Sequence, residues 1–330
     1  MGRAVTSIPR PGVAQLWLIT PVFNEEENLE RLVEVVTRTI FSRADLDAHL
    51  LFVDDGSSDT SWTIIEKLCA QNPRFEGIRL SRNFGSHTAL SAGFNRVGDV
   101  ADVVATLACD LQDPPEIVVQ FVERWRVGAD IVWGERSARH DSRWRVLASR
   151  LFEALLRRFA MPKGSRFTTG SFFLADRRVV AAYREMREHN RITFALFAWT
   201  GFDQERVPYE RAARQAGISG WPLRAMLKTM YDAFIGFSTV PIKLIKVAAW
   251  FASLLSIGLI IYLLTLKTVH STVPGWTSQL IVLSTFFAIQ FTLTGMMGEY
   301  LSRLYTEAVK RPLYFISAST SPQERPESVT

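Results

Sequence analysis

The 330-residue sequence has only two cysteines, Cys69 and Cys109, and neither belongs to a Cys-x-x-Cys pair. A disulfide framework and a structural zinc site are therefore not expected, and reduced cytoplasmic thiols are the plainer interpretation. The N-terminal residues also lack the long apolar run of a secretory signal, because the run at residues 16–20 is short and ends at Pro21. No internal repeat is evident. These absences argue against the small disulfide-rich and secreted classes.

Acidic residues are the minority charge, with 33 Asp and Glu against 38 Lys and Arg, so that the formal net charge is +5. A basic balance suits nucleic acid, an anionic membrane surface or phosphate-bearing substrates, and does not choose among them. No nucleic-acid-binding motif is present, and the basic residues cluster beside long apolar segments. A nucleic-acid partner is therefore not predicted.

Short apolar runs alternate with helical periodicity through the first 135 residues. They predict strands at 16–20, 50–53, 77–80, 102–107 and 129–133, with helices at 29–40, after 59–61, at 88–94 and at 116–126. This alternation indicates right-handed βαβ units and a mostly parallel sheet. Polar clusters at 21–25, 54–57, 81–87 and 110–113 each follow a strand. Ligands of such sheets bind beyond the carboxyl ends of the strands, so these clusters mark a candidate site.

The C-terminal third contains long uncharged stretches. Residues 247–266 have no charge, and residues 268–298 have no Asp, Glu, Lys or Arg, so we expect two membrane spans near 247–266 and 278–298 that turn at Pro274 and Gly275. Basic residues flank the outer ends, which predicts that both termini are cytoplasmic. Residues 221–237 are amphipathic and predict a helix in the membrane interface. The alternatives are an ordinary domain helix and a buried hairpin in a water-soluble protein.

Oxygen-bearing side chains are concentrated at residues 110–113. Asp110, Gln112 and Asp113 offer the ligands that Mg²⁺ or Mn²⁺ prefer, and such a cation would neutralise a donor diphosphate. The alternative is a helix N-cap ahead of Pro-Pro-Glu, and both can hold together. Asp55 could accept hydrogen bonds from a base or ribose, although the Asp-Asp-Gly-Ser run alone is more often a surface turn.

Arginines are frequent downstream of the predicted sheet. Guanidinium groups bind phosphate oxygens in pairs, so the cluster predicts a phosphate site beside the membrane segments. The alternative for any one member is a solvated or headgroup-facing charge. The members are Arg136, Arg143, Arg145, Arg150, Arg157, Arg211 and Arg214.

Taken jointly, these motifs resemble family 2 glycosyltransferases that act on polyisoprenyl phosphates. That group includes the dolichol-phosphate mannose synthases and, more similar to this chain, the bactoprenol (undecaprenyl-phosphate) glucosyltransferases. The matching runs are residues 21–28, 53–57, 81–85, 110–116, 199–202 and 298–312, and the similarity covers residues 16–315. The resemblance implies a Rossmann-like GT-A domain and inverting transfer of a sugar, glucose favoured, from a UDP-sugar to undecaprenyl phosphate. The product would serve cell-envelope glycan or lipopolysaccharide modification.

The resemblance also assigns site residues by position. Asp110 and Arg136 are expected to be catalytic, and Asp110 and Gln112 are expected to bind Mg²⁺ or Mn²⁺. The acceptor phosphate is assigned to Arg136, Arg145 and Ser149. The nucleotide sugar is assigned to Pro21, Phe23, Glu25, Val53, Asp55, Cys109, Asp110, Gln112 and Arg214.

Three positions depart from the family pattern. Position 108 is Ala where an Asp is usual, position 23 is Phe where Tyr is common, and position 171 is Ser where an Asp is expected. Asp113 or water could substitute for the missing ligand. No carboxylate is assigned as a base, because a phosphate monoester carries nearly two negative charges at pH 7 and is itself a competent nucleophile.

Rival functions remain open at this point. Another sugar is possible (GlcNAc, galactose, aminoarabinose or mannose), and Ala108 and Ser171 motivate a catalytically weak membrane scaffold. A processive polysaccharide synthase would need a longer channel and a Gln-x-x-Arg-Trp run, and the sequence has neither.

The expected organisation has five parts and places the enzyme in the inner (plasma) membrane as a multi-pass protein, with its catalytic domain in the cytoplasm. Homo-oligomerisation is possible. The parts are a flexible N-terminus (1–15), the GT-A domain (16–220), amphipathic juxtamembrane helices (221–245), the hairpin (246–300) and a cytoplasmic tail (301–330).

Overall fold

The computed structural model describes most of the N-terminal half of the chain and part of the rest. Arg145, Ser149 and Arg214, the amphipathic segment 221–237 and most of the first predicted span lie outside the described residues. The described residues are 10–136, 170–186, 188–189, 191–211 and 275–321, with the separate positions 247, 250, 251, 254, 255, 258 and 261.

Within these residues, eight strands form one sheet in the order β7-β5-β6-β4-β1-β2-β3-β8. Every pairing is parallel except those of β6 with β4 and β5 and of β8 with β3. The mostly parallel α/β sheet predicted from the alternating pattern is thereby confirmed. The strands are β1 (Ala14–Val22), β2 (Leu46–Asp54), β3 (Phe75–Leu80), β4 (Val103–Thr106), β5 (Ile131–Arg136), β6 (Phe173–Asp176), β7 (Gln204–Tyr209) and β8 (Ile316–Ser319).

Helices connect the first five strands as predicted, and among the described residues further helices follow. The first ends in a wider π turn at Thr37–Phe41, which carries it to the predicted end at Ile40. The helices are α1 (Leu29–Val36), α2 (Ser61–Gln71), α3 (Ser86–Val97), α4 (Glu116–Val127), α5 (Arg177–Glu185), α6 (Thr193–Trp199) and α7 (Trp276–Val309).

The core lies between the sheet and the helices, because the central strands are buried on both faces. Residues 50–54 of β2 are all buried, as expected for a strand inside a parallel sheet. On the helices, burial follows one face: Leu29, Leu32 and Val36 are the buried residues of α1. The sheet therefore holds its strand ends in fixed register.

Parts of two segments that the sequence analysis placed outside the domain, residues 10–15 and 312–321, belong to its fold. Residues 1–15 were expected to be flexible, yet β1 begins at Ala14. Arg10 donates a hydrogen bond to the Ala129 carbonyl at 2.7 Å and stacks over the Trp125 ring at 4.7 Å. Residues 301–330 were expected to form a tail, yet β8 pairs with β3.

The chain divides into two compact units, Met1–Met230 with Pro312–Thr330, and Tyr231–Arg311. In the second unit, α7 is 34 residues long and exposes apolar side chains, among them Phe291, which is 70% exposed. Among the described residues, no helix meets the length and apolarity of a membrane span. The two predicted spans stay predictions.

Candidate active site

The candidate site is the sheet edge at which the parallel strands end. The residues after β1, β2, β3 and β4 emerge there, together with Arg136 at the end of β5 and Tyr209 at the end of β7. Because β6 and β8 run in the opposite direction, their first residues lie at the same edge. The fold thus brings the four predicted polar clusters together.

The loops after β1 and β2 interlock through hydrogen bonds. The amide of Asn24 donates to the Ser57 hydroxyl at 3.0 Å, and the Asn24 side-chain oxygen accepts from the Ser58 amide at 2.8 Å. The Glu25 amide donates to the Ser61 hydroxyl at 3.0 Å. Asn24 has φ 54°, a left-handed conformation that Asn tolerates better than most residues. The loops therefore form one rigid unit.

Asp55 is buried at the centre of this edge. Its two carboxylate oxygens accept the amides of Phe84 and Gly85 at 2.7 and 2.8 Å, so that it holds the loop after β3. Burial raises the pKa of the Asp55 carboxyl, while the two amide bonds act against that rise. Gly56 has φ +72°, and a Cβ there would lie 2.6 Å from the Arg82 carbonyl carbon. The two loops are in close backbone contact.

Arg79, near the end of β3, holds the neighbouring carboxylate. Its Nε lies 3.0 Å from an oxygen of Asp54, which is completely buried, and its guanidinium donates to the Ser57 carbonyl at 2.8 Å. A buried carboxylate requires such a partner, since an unpaired buried charge is costly.

The turn after β4 presents the predicted cation ligands. The Gln112 amide donates to the Asp110 carboxylate at 3.2 Å, and Leu111 between them is left-handed at φ 52°. Cys109 is buried. Burial, with the negative charges of Glu25 and Asp110, raises the pKa of the Cys109 thiol well above its ordinary range. The Cys109 side chain is thus part of the core that supports the turn.

Asp110 and Gln112 fit a divalent cation that takes its remaining ligands from a substrate. Both side chains are half-buried and present hard oxygens on one turn. Among the described residues, no three His, Cys, Asp or Glu side chains converge as a protein-only cation site requires. This donor set suits Mg²⁺ or Mn²⁺, which commonly keep waters and substrate phosphates as ligands.

Asp113 was considered as a helix cap or as a substitute metal ligand, and the structure gives it another role. It is buried, and it accepts the Tyr209 hydroxyl at 2.5 Å. The Nε of Arg211 lies 3.5 Å from the same oxygen. Arg136 donates to the Tyr209 hydroxyl at 3.4 Å. Helix α4 begins after Pro115 without a side-chain cap.

The remaining assigned residues differ in access to a ligand. Phe23, directly after β1, is 45% exposed and offers a ring face. Pro21, near the end of β1, is half-buried. Val53 has no exposed surface, so its side chain packs inside the sheet. Ser171 is exposed next to β6, and its carbonyl accepts the Thr106 hydroxyl.

Sequence reasoning missed three contributors to this edge: Arg79, Tyr209 and the ring of Phe84, over which Arg82 stacks at 4.1 Å. Arg79 could have been suspected, because the sequence predicts its strand directly after the strand that ends in Asp54, and consecutive strands of such folds are often neighbours in the sheet. Tyr209 carried no signal, since its partner Asp113 lies 96 residues earlier.

Comparisons with known proteins bear on the family to which the chain belongs. A family model described as glycosyl transferase family 2 matches residues 17–184. The uncharacterized glycosyltransferase YkcC of Bacillus subtilis is 35% identical over 314 residues, which cover 92% of this chain and 94% of that protein. An uncharacterized glycosyltransferase of Synechocystis sp. is 34% identical over 310 residues, with 92% and 95% covered.

Among solved structures, similarity is weaker. Glucosyl-3-phosphoglycerate synthase from Mycobacterium tuberculosis, in complex with Mn²⁺, uridine diphosphate and phosphoglyceric acid, has a TM-score of 0.46 and 17% identity, with 67% of this chain and 78% of that chain covered.

The fold is an α/β sheet whose polar side chains gather beyond the carboxyl ends of its parallel strands, where the ligands of such sheets commonly bind. The family match and the two relatives show that the chain belongs to glycosyl transferase family 2. It is a glycosyltransferase with a GT-A-like sheet, and it transfers a sugar from a nucleotide sugar. The enzyme prediction is confirmed.

Proposed function

We propose that this enzyme transfers glucose from UDP-glucose to undecaprenyl phosphate at the cytoplasmic face of the membrane, with inversion at the anomeric carbon. The observation that carries the proposal is that two groups of residues lie at the same sheet edge. One group, around Asp55 and Phe23, is called the nucleotide half, and the other, around Arg136 and Arg211, is called the guanidinium half. The turn of Asp110 and Gln112 lies in the chain between these halves. Glucose and undecaprenol come from the motif resemblance.

The nucleotide half suits a base and ribose. The exposed ring of Phe23 gives a stacking surface. Glu25 and Asp55, which follow the paired strands β1 and β2, carry carboxylate oxygens that can accept hydrogen bonds. In this proposal Asp110 and Gln112 hold Mg²⁺ or Mn²⁺, which when bound would neutralise charge on the donor diphosphate. Arg214 is assigned to the same donor and lies outside the described residues.

The guanidinium half suits the acceptor phosphate. Two anions about 5 Å apart repel each other by about 3 kcal/mol per pair of unit charges at an effective dielectric of 20. Arg136, held by Tyr209, would lower that cost. An acceptor phosphate oxygen then bonds to the anomeric carbon as the bond from that carbon to the diphosphate oxygen breaks. The protein contributes position and charge, and it needs no carboxylate base.

A lipid acceptor is supported by the second unit. Among the described residues of this unit, the apolar side chains at 247, 250, 251, 254, 255 and 261 are all more than half exposed. On α7, Leu283, Phe287 and Phe291 are also more than half exposed. Apolar surface of this extent marks an interaction surface, and in this proposal lipid covers it.

Transfer of radiolabel from UDP-glucose into an organic-soluble product tests the proposal. We expect product only with undecaprenyl phosphate and a divalent cation, and Asp110→Asn should reduce the rate by at least about 100-fold. The matched control is Asp99→Asn, since Asp99 is an exposed carboxylate paired with Arg184 at the opposite sheet edge. Equal rates for both variants, or label only in water-soluble products, would reject the proposal.

The donor sugar is tested in the same assay by competition. UDP-GlcNAc, UDP-galactose, GDP-mannose and an aminoarabinose donor each compete against labelled UDP-glucose. If another sugar were preferred, the part of the proposal that names glucose would be wrong. The part that names a lipid phosphate acceptor would stand.

A further inference from the structure

The segment after α7 returns to the catalytic unit and covers the edge of β3. Val309 ends α7 and Ile316 begins β8, so six residues join them. Ser319 pairs with Ile78 and Ala318 with Arg79, and a bulge follows at Ser317. Residues 312–321, called the return segment here, therefore lie alongside the strand that carries Arg79.

Hydrogen bonds fasten the return segment to residues 77–80 of β3. The Thr320 amide donates to the Gly77 carbonyl at 2.9 Å, and the Gly77 amide donates to the Thr320 hydroxyl at 2.9 Å. The Ser317 hydroxyl lies 3.2 Å from the carbonyl oxygens of both Arg79 and Leu80. Without these bonds, β3 would be an edge strand with open amides.

The attachment continues to the first residue of the loop at 81–85. The Ser81 amide donates to the Phe315 carbonyl at 2.9 Å, and the Asn95 side chain donates to the Tyr314 hydroxyl at 3.0 Å. The return segment thus contacts the first residue of this loop, Ser81, and also Asn95 in α3, the helix that follows the loop.

The same loop is the one that Asp55 holds. Its Phe84 and Gly85 amides bind the two Asp55 oxygens, and Arg79 in β3 binds Asp54. A continuous series of contacts therefore runs from Thr320 through β3 to Asp55. A hydrogen-bonded series of this kind can fix the loop only while its outer strand is in place.

We propose that the return segment is a positioning element of the donor site, which holds the 81–85 loop in the conformation that binds Asp55 and so sets the affinity for the nucleotide. This inference rests on the proposed function only in naming a nucleotide as the ligand. None of its residues is assigned to contact the reacting atoms.

Two proline substitutions in the same strand separate this role from general destabilisation. Because Thr320 donates its amide to β3, alternation along the strand directs the Ala318 amide toward β3 and the Ser319 amide away from it. Ala318→Pro removes a bond to β3. Ser319→Pro is the matched control, since proline is tolerated on an edge strand where the amide faces outward.

We expect Ala318→Pro to speed hydrogen exchange of the Phe84 and Gly85 amides about tenfold in the absence of any nucleotide. It should weaken UDP binding in calorimetry and raise KM for the donor, each by about tenfold, while kcat at saturating donor changes by less than about twofold. Ser319→Pro should leave all four quantities near those of the wild-type enzyme. If Ala318→Pro does not fold, Ser317→Ala removes only the hydroxyl bonds and should shift the same quantities by about threefold.

Equal exchange rates at Phe84 and Gly85 in both proline variants would overturn the inference, as would a fall in kcat with no change in donor KM. The exchange measurement needs no ligand, so it tests the return segment even if the donor is not UDP-glucose. Failure of the wild-type enzyme to bind UDP would instead count against the proposed function.

Discussion

Tyr209→Phe tests whether the buried Tyr209–Asp113 pair organises the guanidinium half of the site. The bond is charge-assisted and 2.5 Å long, which is the strong class of O–H···O⁻ contact. The Tyr209 ring packs edge-on against Phe172 at 5.3 Å, and phenylalanine keeps that contact. The variant therefore removes the hydroxyl, with its bonds to Asp113 and Arg136, and keeps the packing of the ring.

The expected cost follows from what Asp113 loses. A hydrogen bond to a charged group contributes about 1.5–3 kcal/mol, and Asp113 keeps only the longer ion pair with Arg211 at 3.5 Å. We expect the free energy of unfolding to fall by about 2 kcal/mol. Since Tyr209 also receives the Arg136 bond, KM for the acceptor should rise about threefold to tenfold with a smaller change in donor KM.

The pH dependence gives a second test. Burial, then the charge of Asp113, raises the pKa of Tyr209 above its ordinary value near 10. A group whose folded pKa is raised contributes stability that is fully present below the unfolded value and is lost only as pH rises through the folded one. The difference between wild type and Tyr209→Phe should therefore be constant from pH 6 to pH 9.

Urea unfolding at several pH values, with acceptor titrations, measures these effects. Tyr305→Phe is the control, because that tyrosine is 68% exposed and its hydroxyl should contribute little. A loss below about 0.5 kcal/mol, or one that varies between pH 6 and pH 9, would refute the reasoning about the pair.

Three further predictions concern other parts of the same unit. Gly56→Ala should destabilise the fold by about 2–4 kcal/mol in urea unfolding and raise donor KM, because the position is left-handed and the new methyl would meet the Arg82 backbone at 2.6 Å; a neutral variant would show that the loops are not in contact. Cys109 should resist alkylation at pH 8 in the native enzyme and react after unfolding, because burial raises the pKa of its thiol, and mass spectrometry of the labelled peptide reports this. Asp45→Asn should cost less than about 1 kcal/mol at pH 7, since the pair with Arg126 is partly exposed. Hydrogen bonds from arginines lower the pKa of Asp45 from 3.8 to about 2, so this difference should vanish as pH falls through that range; persistence below pH 2 would contradict it.

The sheet edge was predictable because the sequence places polar clusters directly after short apolar runs. The clusters after β1, β2, β3 and β4 lie where the strand pattern put them, since parallel strands end at a common edge. At several ends, the strands of the structure extend two to four residues beyond the bounds predicted from the sequence. Differences of this size are usual when only the local pattern is used.

The antiparallel strands and the long-range pairs were not predictable. Strands β6 and β8 have four residues each, too few to show a period, and their partners lie far away in the chain. Asp113 is a further example. The local pattern predicted a helix cap or a metal ligand, and in the structure Asp113 accepts a hydrogen bond from the Tyr209 hydroxyl. Val53 and Cys109 were assigned by motif position, and their burial makes them supports of the site.

The site is acidic in composition, yet its carboxylates are individually compensated before any ligand arrives. Asp54 is paired with Arg79, Asp55 accepts two amides, and Asp113 accepts a hydroxyl beside Arg211. The donors that hold these carboxylates weaken the repulsion that the carboxylates would exert on a diphosphate, because each donor places a positive charge or a positive dipole end beside a carboxylate oxygen. The groups that offset this repulsion are therefore already in place in the folded protein. They include Arg79 from β3 and Tyr209 from β7. If the proposed function is correct, activity at this edge would therefore depend on β3 and β7, which carry Arg79 and Tyr209 and none of the residues assigned to the reacting atoms.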